Sequence, residues 1–182
     1  MELSNPNARR VLAAGCVCGL LASLTLPWAM LSSGLFALTS VVLAAGCALL
    51  CKERREYARP IKPAVAAAVA FVVGMILDGG SLVRMPVIVG IALLYFAVAY
   101  YADAVLQETG TRVRQGGAPR PPKVATRFEI AAGTFALALL VGDVLTTLLR
   151  PAQLVAMVAM GIGFVQLGRF VLEGPRKEDN AG

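Results

Sequence analysis

Six apolar stretches, at 11–31, 34–51, 63–83, 86–107, 128–149 and 151–172, take up nearly all of this 182-residue chain. At about 1.5 Å of rise per helical residue, each is long enough to cross a hydrocarbon core of about 30 Å. A water-soluble bundle would need a polar face on every helix. Here 66–77 is apolar throughout, and 86–99 is interrupted only by Tyr95. Hydrophobic residues make up 58% of the chain and charged residues 15%, against about 45–50% and about 25% in ordinary soluble domains. The sequence therefore predicts an all-α, polytopic membrane protein with six transmembrane helices in three hairpins. The helical domain covers 11–172, with short tails at 1–10 and 173–182 and a linker at 108–126.

The net charge of +6 is explained by where the basic residues fall. Arg9 and Arg10 precede the first stretch. Lys52, Arg54, Arg55, Arg59 and Lys62 separate the second from the third. Arg112, Arg114, Arg120, Lys123 and Arg127 separate the fourth from the fifth, and Arg176 and Lys177 follow the sixth. With Arg169 near the end of the last stretch, 15 of 17 basic residues fall on one side, leaving only Arg84 and Arg150 on the other. The positive-inside rule then puts both termini in the cytoplasm. An odd number of spans would mix the basic loops between the two sides, so the charge pattern supports six. The charge is a topology signal, with no nucleic-acid partner implied. A second reading adds anionic lipid headgroups as partners at the basic face.

The string Leu12-Ala13-Ala14-Gly15-Cys16 loosely matches a lipoprotein cleavage box. The apolar run before the cysteine is short for a signal peptide. With Val11 before it, the same string returns at 42–47, deep in the second stretch. The first helix is therefore expected to be retained.

The outer connections are very short: Ser32-Ser33, Arg84-Met85, and little beyond Arg150. Such links force antiparallel neighbours. The longest inner connection contains Gly116-Gly117-Ala118-Pro119-Arg120-Pro121-Pro122, which is incompatible with a helix. Pro63, Pro86 and Pro151 mark helix starts, where a missing N–H costs nothing. Asp78 and Pro86 align with Asp143 and Pro151 at an offset of 65 residues, which suggests that hairpins two and three are a parallel repeat.

Three helical hairpins, a proline at each outer turn and basic inner loops resemble the HdeD-like family of bacterial inner-membrane proteins. The segments carrying the likeness are Ser23-Leu24-Thr25-Leu26-Pro27, 74–86 and 142–151. That family is richer in tryptophan, whereas this chain has only Trp28. The resemblance implies a role in acid or envelope stress and brings no catalytic residues with it.

There is no histidine, so histidine metal ligands and His-dependent triads are absent. Cys16 and Cys18 point to nearly opposite faces of a helix. Cys47 and Cys51 share a face, and Cys47 lies at a depth similar to Cys16. All four are expected to be small packing residues rather than a metal site. Catalytic, cofactor and metal sites are none on this reading, and the chain is expected not to be an enzyme.

The acidic residues within the stretches matter most, because charge at bilayer depth calls for a partner. Asp78, Arg84, Asp143 and Arg150 form a candidate outer polar cluster, with Asp143 about two turns inside its helix. Its two readings are a structural belt of ion pairs and an outward-facing site for a cation or for low pH. Asp103 and Arg169 form a candidate inner ion pair at equal depth. Glu129 is placed at the start of helix five, Tyr100 and Tyr101 in an interfacial belt, and Gln166 in a bond to another helix. Small residues four apart (Gly15 and Gly19; Ser40, Ala44 and Ala48; Ala66, Ala70 and Gly74; Ala159 with Gly163) are read as packing within the bundle, with a homo-oligomer seam as the alternative. Following the resemblance to the HdeD-like family, the chain is expected to be a non-enzymatic bacterial inner-membrane protein related to envelope or acid stress. The alternative is a small transporter, or the membrane substrate-binding subunit of one, with an outward-facing polar site.

Overall fold

The computed structural model describes residues 6–77, 84–108, 123–145 and 148–173. These form six helices: α1 (Pro6–Leu24), α2 (Ala29–Cys51), α3 (Ile61–Ile76), α4 (Arg84–Glu108), α5 (Lys123–Val144) and α6 (Leu149–Glu173). A short 3-10 turn at Arg55–Ala58 precedes α3. Six spans long and apolar enough to cross a membrane result, α3 being counted with that turn. Each helix packs on its neighbours in sequence, and α6 returns against α1, so the six close into a ring. The start of α1 and the end of α6 therefore lie at the same end of the bundle, the end that carries the basic loops.

Several boundaries differ from the sequence reading. The first outer turn falls at 25–28 rather than at Ser32-Ser33, and Pro27 lies in it. Proline has no N–H to continue the ladder, so the chain breaks there. Ser32 and Ser33 are instead buried within α2, where Ser32 Oγ donates to the carbonyl of Ala22 at 2.8 Å. Helix α5 begins at Lys123, so the inner linker is shorter than 108–126 and Glu129 sits in the second turn. The helix ends at Val144, which puts Asp143 in its last turn rather than two turns inside. Pro63, Pro86 and Pro151 are each the third residue of a helix, within the first turn as expected. The 65-residue offset maps α4 onto α6 from end to end, each closing on a glutamate.

The axis is filled with aromatic side chains. Phe36 of α2 stacks on Phe71 of α3 with centroids 5.3 Å apart and meets Phe135 of α5 edge-on at 5.9 Å. Phe164 of α6 lies 6.2 Å from Phe36, and Phe128 meets Phe164 edge-on at 5.4 Å. All five rings are fully buried. Glycines make room for bulky partners. A Cβ on Gly90 would stand 2.8 Å from the Phe71 ring, and one on Gly46 would stand 2.6 Å from Leu12. In lipid such close packing, not water exclusion, holds helices together.

The small-residue pattern is used inside the bundle at Gly15, Gly19, Gly74 and Gly163. Two of the expected stripes are shifted. Ala48 and Ala66 face outwards, while Ala64, Ala67 and Ala68 are buried. The period was right, but helix rotation is set by neighbours that a single segment does not reveal. Buried hydroxyls are satisfied locally: Ser23 donates to the Gly19 carbonyl at 2.8 Å and Ser40 to that of Phe36 at 2.9 Å. This removes the cost of a bare hydroxyl in an apolar interior. The outer surface is a jacket of Val, Leu and Ile, including Val41, Val69, Leu137 and Ile162.

Candidate functional site

At the end with the short turns, the expected cluster of Asp78, Arg84, Asp143 and Arg150 falls largely outside the described residues. Asp78 lies outside them altogether, as do the side chains of Arg84 and Asp143. Arg150 is exposed in the first turn of α6.

The basic end holds a buried aromatic and carboxylate group that the sequence reading missed. Tyr57, from the 3-10 turn, is 2% exposed. Its hydroxyl donates to Glu108, the last residue of α4. Its ring lies 6.0 Å from that of Tyr101, which meets Phe170 edge-on at 6.4 Å. The group ties the α2–α3 connection to the ends of α4 and α6. Tyr101 is thus buried and not a belt residue, because it faces this cluster; Tyr100 is exposed, as a belt requires. The available signal was one tyrosine inside an otherwise charged loop.

Asp103, expected to meet Arg169, accepts a hydrogen bond from Gln107 Nε2 at 2.9 Å, one turn along its own helix. Arg169 is exposed on α6. Gln166, expected to bond to another helix, is half-buried and makes no side-chain hydrogen bond among the described residues. Cys16 and Cys47 are buried in the core and, like Cys18 and Cys51, are free thiols.

Partway along the bundle, Tyr95 of α4 donates its hydroxyl to Glu129 Oε2 of α5 at 3.2 Å. Glu129 is exposed, on the outer surface of the ring. The two helices share the sparsest contact of the six neighbouring pairs in the ring. Sequence reasoning noted both residues without joining them, because they lie on different helices.

Among the described residues the interior shows one small void. A void of about 10 Å³, lined by apolar surface from residues such as Leu43, Ala64, Ala97 and Leu167, is near the minimum that holds one water. Among the described residues no group of three His, Cys, Asp or Glu side chains is placed to hold a metal ion. Compared with protein families, curated proteins and solved structures, the chain gives no match.

Proposed function

We propose that this chain is a non-enzymatic multi-pass protein of the bacterial inner membrane that serves in envelope or acid stress. The filled axis supports this reading most. Phe36, Phe71, Phe135 and Phe164 occupy the depth that a transport pathway would need. Among the described residues the charged side chains are instead gathered at the helix ends and on the outer surface. The likeness to the HdeD-like family points the same way. On this reading both termini are cytoplasmic, and the basic end contacts anionic headgroups of the inner leaflet.

A deletion strain exposed to external acid tests the proposal. Plasmid-borne wild type restores survival, and Asp143→Asn, made to the same membrane level, does not. Equal survival of the deletion strain and its parent removes the stress role. The alternative, a small transporter or a membrane subunit of one, requires the bundle to open, and the sparse α4–α5 contact is where it would part. Solute uptake that depends on the chain while acid survival does not would favour that alternative.

A further inference from the structure

We propose that Glu129 and Tyr95 form a binding site, open to the hydrocarbon, for an organic cation with apolar substituents. Tyr95 lies near the middle of α4, between Arg84 and Glu108. Its bond to Glu129 therefore draws the carboxylate, carried on the second turn of α5, towards the middle of α4. The carboxylate is on the lipid-facing surface, where an ionic group calls for a counter-charge.

Among the described residues, none of the surrounding helices supplies that charge. Between Met85 and Glu108, α4 has no Lys or Arg and offers Tyr95 to Glu129; Tyr100, Tyr101 and Asp103 lie further towards the basic end. Along α6 the charged residues are Arg150, Arg169 and Glu173, all near its ends. On α5 itself the basic residues are Arg127, two residues from Glu129, and Lys123, six residues from it, both turned off its face. Among the described residues no cation pairs with Glu129.

Two further features favour an organic ligand. Phe96, 49% exposed, has its ring centroid 5.3 Å from that of Tyr95, so aromatic surface flanks the carboxylate. Gly133 lies one turn beyond Glu129 on the same face, and a Cβ there would meet nothing within 4 Å. The seam thus offers a negative charge, aromatic surface and open volume together. That combination suits an ammonium or phosphonium group, by Coulomb attraction and by cation–π contact. A bare inorganic cation would demand more oxygen ligands than one carboxylate and one phenol supply. The cation has two sources, a membrane lipid with an amino headgroup or a lipophilic cation that partitions from water.

The full chain in phosphatidylglycerol nanodiscs, probed with tetraphenylphosphonium against empty discs, tests the site. Saturable binding to the wild type is expected. It should weaken about tenfold or more in Glu129→Gln, the loss of a charge pair worth about 1.4 kcal/mol. Gly133→Leu fills the open volume on an exposed face and should weaken binding while keeping the carboxylate. Discs made with phosphatidylethanolamine separate the sources. If the lipid blocks the probe and is retained by wild type but not by Glu129→Gln in native mass spectrometry, the headgroup is the ligand. If the probe binds undiminished, the partitioning cation is. Binding equal in wild type and Glu129→Gln, or neither probe binding nor lipid retention, overturns the proposal.

Discussion

Gly19 has no room for a methyl group, since a Cβ there would lie 2.3 Å from the Phe164 ring. Gly133 has room to spare, with nothing within 4 Å. Gly19→Ala is therefore expected to destabilise the bundle by about 1–3 kcal/mol through overpacking, and Gly133→Ala to be near neutral. Unfolding in bicelles by steric trapping compares the two, and equal losses would contradict the packing described. Phe36 touches three other rings at the axis. Phe36→Ala should cost about 3–5 kcal/mol by leaving a cavity, measured the same way. At this scale the sequence was partly legible. It marked Gly19 as a packing glycine, because small residues four apart allow helices to approach. It gave no means of pairing Gly19 with Phe164, since the two are far apart in the chain and only the ring closure brings them together.

Among the elements, helix existence followed from length and apolarity alone, and helix starts from proline at the third position of α3, α4 and α6. The first outer turn was misplaced, because Ser32-Ser33 reads as a turn while the break lies at Pro27. Ser32 instead reaches across to the Ala22 carbonyl and is buried between α1 and α2. Ser32→Ala should lower stability by about 0.6 kcal/mol, and by at most about 1.7 kcal/mol, the range for interhelical hydrogen bonds in membranes. A double-mutant series against Gly19→Ala would show whether the two contacts act independently. Tyr57 illustrates the opposite error. A charged loop looks like solvent, yet its one aromatic residue is buried against α4.

The whole molecule is a ring only because α6 packs on α1. A Cβ at Gly168 would lie 3.5 Å from that of Cys16, at the short edge of the range that a disulfide spans. Gly168→Cys, oxidised with copper phenanthroline in membranes, is expected to form a bond to Cys16, detected by peptide mapping without reduction. Its absence would mean that the ring is open. The alternation of basic and short loops predicts, in addition, that tags at the two chain ends report the same side of the membrane.

The sequence by itself determined the number of helices able to span a membrane, their antiparallel order and the alternation of basic and short connections. These depend on local length, apolarity and charge, which the bilayer reads one segment at a time. Only the tertiary structure decided which face of each helix turns inwards, that Tyr57 closes on Glu108, and that Glu129 meets Tyr95 at the surface. In lipid every side of these helices is apolar, so their rotation is fixed by the fit of one helix against the next.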